Sequence, residues 1–196
     1  MPKRITVTRK TGETNIKAAL TVYGQGKYTI KTGISFLDHM LSLFAKHGLF
    51  DLDIKAQGDL DVDIHHTNED VAIVLGDIFS SALKNRAGIK RFGEAIVPMD
   101  EALVQVVIDV SGRPFLKFNA DRVKPKDIND YSLNYAEQFL RAFVMNFKAT
   151  VHVDILEGKD THHILEAVFK AFAKALARSL EKEARSKSIP STKGCL

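Results

Sequence analysis

Two histidine pairs, each followed by a glutamate, are the residues of this sequence best suited to chemistry. The segments HHTNEDV and HHILEAV start at His65 and His162 and place Glu69 and Glu166 four residues after the first histidine. At the start of a helix, this spacing brings an imidazole and a carboxylate onto one face, where both can hold a metal ion. Neighbouring histidines point in different directions, so each motif is better suited to supply two metals than to surround one.

The types of donor in these motifs indicate which metals would fit. Mixed imidazole and carboxylate ligands suit Mn, Fe, Co, Ni or Zn. The absence of cysteine near the motifs argues against a structural zinc site. For a single pair, helix capping or packing would be the alternative, but the repetition of the motif favours metal binding. His47 and His152 lie outside the motifs, and solvated or packing roles are favoured for them.

The hydrophobic periodicity predicts the same order of elements twice, namely three strands, a helix, a strand and a helix. In the first half it predicts strands over 4–9, 16–22, 28–30 and 52–56, and helices over 36–48 and from 71 until near Gly88. Before the second of these helices, Leu60, Val62 and Ile64 alternate up to His65, as residues of a strand do. In the second half it predicts strands over 94–98, 102–110, 115–118 and 151–155, and helices over 136–147 and 168–180.

Sequence matches between the halves indicate a tandem duplication of this βββαβα unit. Aligning Glu13 with Glu101 also aligns Gly24 with Gly112, and the two His-His segments superimpose without gaps. Chance similarity of two amphipathic helices is the alternative, which these separate matches disfavour. No low-complexity linker separates the halves, so we expect 1–90 and 91–196 to form one compact unit with a shared core. A third alignment pairs His39 with Gln138, Phe44 with Phe143, and Leu52 with Val151.

Composition excludes several classes of protein. The formal charge of +4 is only mildly basic, and the basic residues near the N-terminus alternate with apolar ones. An exposed strand face therefore explains them better than a nucleic-acid-binding arm does. No apolar run is long enough for a membrane helix, and the start MPKRITVTRK has no apolar stretch of the kind found in signal peptides. A single cysteine, Cys195, cannot form an internal disulfide, so we expect a cytoplasmic protein.

Four basic residues near turns or motifs could bind a phosphate group. Arginine offers forked, permanently charged donors, and lysine offers a flexible point charge. Spacing alone does not distinguish these four among 28 lysines and arginines, so a solvated surface role stays open for each of them. They are Arg91, Arg113, Lys170 and Lys193.

Six segments, in order along nearly the whole chain, resemble the imidazoleglycerol-phosphate dehydratase family. They are FLDHMLSLFAKHG, DVDIHHTNEDVAIVLG, RFGEAIVPMDEAL, SGRP, HHILEAVFKAFAKAL and STKG. The resemblance implies conversion of D-erythro-imidazoleglycerol phosphate to imidazole acetol phosphate and water, as a step of histidine biosynthesis. It implies an α+β fold in which each half is a small mixed sheet backed by two helices. It also implies an octahedral homo-oligomer of about 24 copies with active sites between subunits.

The same resemblance implies which residues form the site. Two Mn²⁺ ions per active site are expected, with ligands at His39, His65, His66, Glu69, His162, His163 and Glu166. Phosphate contacts are expected from Arg91, Arg113, Lys170 and Lys193. Further substrate contacts are expected from Glu13, His39, His47, Ser191 and Thr192.

The sequence departs from the family at Gln138, where the family has a further histidine. The internal alignment independently pairs Gln138 with His39, so an amide takes the place of the last expected ligand. An amide oxygen binds a hard cation, but it binds Mn or Zn more weakly than imidazole does. One metal site is therefore expected to be weaker, differently coordinated, or completed by the neighbouring Glu137.

Dehydration needs a carboxylate that takes a carbon-bound proton, and Glu13 and Glu166 are the candidates. Glu166 is expected to bind a metal, which lowers its basicity, so Glu13 is favoured. His66 completes the predicted catalytic set.

Two other classes of function remain open from the residues alone. One is a dinuclear metal hydrolase, which substrate screening would distinguish from a dehydratase. The other is a non-catalytic metal-binding assembly protein, which would assemble in a metal-dependent way without any turnover.

Overall fold

The computed structural model describes residues 3–124, 128 and 131–196. The elements of the first half are β1 (Ile5–Lys10), β2 (Thr14–Thr21), β3 (Tyr28–Lys31), α1 (Ser35–Gly48), β4 (Asp51–Gly58) and α2 (His65–Leu83). The same order recurs in the second half, with β5 (Phe92–Met99), β6 (Ala102–Asp109), β7 (Phe115–Asn119), α3 (Leu133–Phe147), β8 (Thr150–Glu157) and α4 (Thr161–Leu180). The predicted repeat of three strands, a helix, a strand and a helix is confirmed.

Each half builds one four-stranded mixed sheet. The strand orders are β1-β2-β4-β3 and β5-β6-β8-β7. The last pair in each sheet is parallel, because a helix crosses over between its strands, and the other pairs are antiparallel. The register repeats as well: Leu20 lies opposite Leu52, and at the equivalent position Ile108 lies opposite Val151. The predicted α+β fold with two similar halves is therefore confirmed.

The four helices carry the core that joins the halves. Helix α1 packs on α4, and α2 packs on α3, so each helix pair contains one member from each half. Four buried phenylalanines, one from each helix, meet in a ring whose centroids lie 5.1 to 5.9 Å apart. Each such side chain contributes about 1.5–3 kcal/mol of burial free energy. They are Phe44, Phe79, Phe143 and Phe172.

The alternation of apolar residues over 60–64 forms no strand in the structure. Strand β4 ends at Gly58, and the backbone turns at once, with the Val62 N–H donating to the Asp59 carbonyl. Val62 is 68% exposed, so most of its apolar side chain faces solvent. Helix α2 likewise ends at Leu83 rather than near Gly88, because Lys84 and Arg86 adopt positive φ angles that a right-handed helix cannot continue.

None of the helices formed by residues 3–124 and 131–196 is both long enough and apolar enough to span a bilayer. The longest, α4, has 20 residues and carries Lys170 and Lys174 as well as its histidine pair.

Candidate metal centre and active site

His39, His162 and Glu166 form the first group of possible metal ligands, which we name the α1–α4 cluster. Glu166 Oε1 lies 3.0 Å from His39 Nε2 and 3.1 Å from His162 Nε2. One ligand atom from each of the three residues lies within 4.8 Å of the others. The predicted four-residue spacing on one helix face is thus observed for His162 and Glu166, and α1 brings in His39 from the other half.

Glu166 is the buried member of this cluster, and its charge is held by its neighbours. Burial acts to raise the pKa of its carboxyl, but hydrogen bonds from Lys170, His39 and His162 outweigh burial and lower the pKa to about 2. Lys170 Nζ donates to Glu166 Oε2 over 2.5 Å and also contacts Met99 Sδ at 3.2 Å. The carboxylate is therefore ionised at neutral pH, as a metal ligand must be.

His65, Glu69 and Gln138 form the equivalent group, which we name the α2–α3 cluster. His65 Nε2 lies 3.4 Å from Glu69 Oε2, again four residues apart on one helix. Gln138, from the other half, lines the same cavity of about 290 Å³. Glu137 instead pairs with Arg141 over 2.5 Å. Gln138 is thus better placed than Glu137 to complete this cluster, in the position that His39 has in the α1–α4 cluster.

The second histidine of each pair turns away from both clusters; we name His66 and His163 the outward imidazoles. Their Nδ1 atoms are held by carboxylates, His66 by Asp59 Oδ2 at 2.9 Å and His163 by Glu101 Oε2 at 2.8 Å. These hydrogen bonds raise the pKa of both imidazoles above the ordinary value. Their Nε2 atoms lie on the open side, 3.8 Å from Glu13 and 3.7 Å from Asp100 respectively.

An aspartate shortly before each histidine pair accepts hydrogen bonds from the backbone at the start of the helix. Asp160 accepts hydrogen bonds from the backbone N–H groups of His162 and His163, and Asp63 accepts one from that of His65. Asp160 is the N-cap of α4, where a carboxylate satisfies donors that a helix start leaves unpaired, whereas the N-cap of α2 is Ile64, which makes no side-chain cap. The two adjacent histidines therefore share the first turn of the helix, from which their rings diverge.

Both clusters fit a divalent metal by their donor types, and the α1–α4 cluster also fits one by its spacing. Nitrogen and oxygen donors held at about 2.1 Å from a cation lie about 3 Å from one another when they are neighbouring ligands. The separations of 3.0 and 3.1 Å in the α1–α4 cluster match that spacing. With imidazole, carboxylate and amide as its donors, the site suits the metals expected from the sequence.

A third group lies at the start of β5, whereas the α1–α4 cluster lies near its end at Met99. It consists of two arginines and the C-terminal tail. Arg91 binds Asp109 through two nitrogens, at 2.7 and 3.1 Å, and this pairing holds its pKa above the ordinary range. Arg113 is 67% exposed and lies 4.0 Å from the same carboxylate. Arg91 also donates to the carbonyl of Pro190, which places Ser191, Thr192 and Lys193 beside this arginine pair rather than beside the metal clusters.

The predicted substrate contacts therefore fall into two places on one chain. Arg91 immediately precedes β5, and Met99, which contacts Lys170, ends it. Eight residues of strand span about 26 Å, which is more than a three-carbon phosphate ester can bridge. His47 lies near Lys170, Lys174 and Glu166, at the end of β5 where the α1–α4 cluster lies. Burial and the two lysines outweigh Glu166, so the pKa of His47 is lowered from its ordinary value. His152 lies away from the metal clusters, beside Phe115, at 5.8 Å between ring centroids.

Sequence reasoning did not identify Asp59, Glu101 and Asp109 as parts of the site. All three are carboxylates that hold a predicted site residue in place through a tertiary contact. The repeat alignment had singled out Glu101 as the partner of Glu13, and this was the available signal. Asp59 and Asp109 lie among many other acidic residues, which offered no comparable signal.

Comparison with known proteins decides the family. The family model described as imidazoleglycerol-phosphate dehydratase matches residues 32–176. The chain belongs to the imidazoleglycerol-phosphate dehydratase family. An imidazoleglycerol-phosphate dehydratase of Caldanaerobacter subterraneus subsp. tengcongensis is 53% identical over 194 residues, which cover 99% of this chain and all of the relative. That of Acetivibrio thermocellus is 50% identical over 196 residues, at full coverage of both chains.

Solved structures of imidazoleglycerol-phosphate dehydratases share the fold. The Staphylococcus aureus protein matches with a TM-score of 0.82 and 38% identity, over 92% of this chain and all of that one. The Pyrococcus furiosus protein, solved in complex with (S)-C348, matches with a TM-score of 0.84 and 34% identity, over 97% of this chain and all of that one. A dehydratase is a hydro-lyase, so the prediction of an enzyme of that class is confirmed.

Proposed function

We propose that this chain dehydrates D-erythro-imidazoleglycerol phosphate to imidazole acetol phosphate and water, as a metal-dependent step of histidine biosynthesis in the cytoplasm. Membership of the dehydratase family supports the reaction. The observation that carries the metal dependence is the pair of clusters, each built from one half's His-x-x-x-Glu and a side chain of the other half. Mn²⁺, two ions per active site, is proposed because the family resemblance implies it, and the nitrogen and oxygen donors are compatible with it.

The reaction removes a hydroxyl from the side-chain carbon next to the ring and a proton from the following carbon. This gives an enol, which tautomerises to the ketone of the product. Bound divalent metals would supply Lewis acidity toward the ring nitrogen and the neighbouring hydroxyl. The chain's own residues must hold the substrate and take the proton from carbon.

Glu13 is the proposed base. A carboxyl with a pKa of about 2, such as Glu166, has little tendency to accept a proton at neutral pH and serves better as a ligand. Glu13 is half-exposed, and its Oε1 lies 3.8 Å from His66 Nε2 on the open side of that outward imidazole. It therefore borders a proposed metal ligand without hydrogen bonding to it.

Replacing Glu13 by glutamine is expected to lower kcat about 100- to 10,000-fold, because a positioned base typically contributes that factor. The change in KM should be much smaller, since the amide keeps the shape of the side chain. The matched control is Glu157→Gln, an exposed carboxylate at the end of β8. Steady-state kinetics of both variants test the role, and wild-type turnover in Glu13→Gln would rule out Glu13 as the base.

The substrate's phosphate is proposed to lie at the arginine pair, with Lys193 and the neighbouring tail residues Ser191 and Thr192. Arg113 is the freer of the two arginines, being largely exposed. Since one chain separates this group from its own metal clusters by about the length of β5, the site is proposed to combine the arginines of one copy with the metals of another. Lys170, which lies at the metal end, would then face the same substrate from the other copy.

The surface of the second sheet supports assembly of several copies. Its outer face exposes Phe92, Ile96 and Phe115, which are 61%, 57% and 54% exposed. An apolar sheet face of this kind marks an interaction surface more often than a solvated one. A homo-oligomer, octahedral with about 24 copies, is therefore part of the proposal. At the equivalent positions the first half has the polar residues Arg4, Thr8 and Lys27.

The experiment that tests the proposed function is turnover of imidazoleglycerol phosphate by metal-stripped protein, with and without added Mn²⁺. We expect no turnover without metal and recovery with Mn²⁺, because each cluster supplies ligands but no positive charge to polarise the ring. Mg²⁺ is the control ion, since imidazole ligands suit it poorly. Full activity of verified metal-free protein would refute the metal dependence. Inactivity of folded, Mn²⁺-loaded protein would refute the reaction.

A further inference from the structure

Asp59 and Glu101 lie outside the proposed ligand set, yet each holds one outward imidazole by the same atom. Asp59 Oδ2 lies 2.9 Å from Nδ1 of His66, and Glu101 Oε2 lies 2.8 Å from Nδ1 of His163. The two carboxylates are not equivalent in the repeat, because Asp59 follows β4 and Glu101 lies in the turn between β5 and β6. The two halves therefore reach the same contact from different loops.

This contact determines which nitrogen of the ring is free to bind a metal. A neutral imidazole carries one N–H and one lone pair, and a carboxylate can only accept a hydrogen bond. Nδ1 must therefore carry the proton in both rings, which leaves the lone pair on Nε2. In each ring, Nε2 is also the atom on the open side, close to Glu13 in one case and Asp100 in the other.

We infer that Asp59 and Glu101 are positioning residues that fix His66 and His163 in the Nδ1–H form, so that each ring presents the lone pair of Nε2 to a divalent metal. The inference rests on the metal dependence of the proposed function. Carboxylates that orient metal-binding imidazoles in this way typically change metal affinity ten- to hundredfold when they are lost.

The second oxygen of each carboxylate distinguishes the two positions. Glu101 Oε1 accepts the backbone N–H groups of Lys159 and Asp160, at 3.1 and 2.7 Å, just before α4. Asp59 Oδ1 is buried and has no hydrogen-bond partner among the described residues. An amide at position 101 therefore meets two fixed donors, whereas an amide at position 59 is free to choose its orientation.

This difference gives the two amide variants opposite consequences. In Glu101→Gln, the amide oxygen stays on the two backbone N–H groups, so its NH₂ group faces His163 Nδ1. That nitrogen must then accept, the proton moves to Nε2, and the metal-binding lone pair is lost. In Asp59→Asn, the amide oxygen can still accept from His66 Nδ1, so the ring keeps its proton on that atom.

The test is Mn²⁺ binding to metal-stripped full-length protein, measured by isothermal titration calorimetry for wild type, Glu101→Gln, Asp59→Asn and the control Asp61→Asn. Asp61 is exposed in the same turn as Asp59. We expect Glu101→Gln to weaken binding about ten- to hundredfold, Asp59→Asn less than about tenfold, and Asp61→Asn not at all. The Tm of the metal-free protein should stay unchanged in all three variants. Glu101→Gln keeps the two loop hydrogen bonds, Asp59→Asn keeps the hydrogen bond from His66, and Asp61 is exposed.

Equal weakening in Glu101→Gln and Asp59→Asn would overturn the inference, because loss of charge alone would then explain both. Wild-type affinity in Glu101→Gln would overturn it as well. If Glu101→Gln lowers the Tm of the metal-free protein, Asp59→Ala decides, since His66 is the hydrogen-bond partner of the Asp59 carboxylate among the described residues. Weaker Mn²⁺ binding there supports the inference, and unchanged binding ends it. Failure of the wild type itself to bind Mn²⁺ would instead refute the metal dependence.

Discussion

Glu166→Gln is expected to lower kcat at least about a hundredfold and to remove one of the two Mn²⁺ ions bound per site. Even an outer partner of a metal ligand is worth about ten- to hundredfold, and Glu166 is itself a proposed ligand. Its Oε1 serves His39 and His162, and its Oε2 serves Lys170. An amide has one accepting oxygen, so its NH₂ group would face either the imidazoles or the lysine ammonium.

The measurements are steady-state kinetics and the metal content of the purified variant. Glu157→Gln is the control, because it makes the same chemical change at an exposed carboxylate. The Tm of the metal-free protein separates loss of metal from loss of folding. If Glu166→Gln bound two Mn²⁺ ions per site and turned over within about tenfold of wild type, the α1–α4 cluster would not be a metal site.

The parts of this fold that sequence reasoning predicted correctly depend on local periodicity. The four-residue spacing places His65 beside Glu69, and His162 beside Glu166, for any sequence that forms a helix there. The repeat also follows from sequence, because equivalent positions such as Leu20 and Ile108 must face the same core in both halves. Alternation alone is not sufficient, because Leu60, Val62 and Ile64 alternate in the sequence but form no strand, and Val62 is exposed.

Contacts between distant parts of the chain could not be predicted in this way. His39 meets Glu166 across 127 residues, and Glu101 meets His163 across 62. These contacts depend on how α1 packs on α4 and on how the turn between β5 and β6 lies against the start of α4. Only the family resemblance placed His39 at the site, and that resemblance did not include Asp59 or Glu101. Short-range geometry thus predicted the His65–Glu69 and His162–Glu166 pairs as candidate ligands, and tertiary packing determined what lies around them.

The separation of site residues within one chain leads to the second large effect, restored activity when two inactive variants assemble together. The first variant is Glu166→Gln, which damages a cluster. The second carries His66→Ala and His163→Ala, which remove both outward imidazoles. In a single chain, the Nε2 atoms of these histidines are directed at neither of its own clusters. If they bind metal, they bind it with ligands of another copy.

Each variant alone is expected to be nearly inactive, whereas co-expression should recover about a quarter of wild-type activity. That fraction follows because one in about four random pairings joins an intact cluster to an intact pair of outward imidazoles. Two different affinity tags, used in sequence, isolate assemblies that contain both chains, and kcat per chain is then measured. Wild type co-expressed with Glu166→Gln is the control that shows how far a mixed assembly dilutes activity. Mixed assemblies no more active than their parents would mean that each chain completes its own site, and the outward imidazoles would then have no role in metal binding.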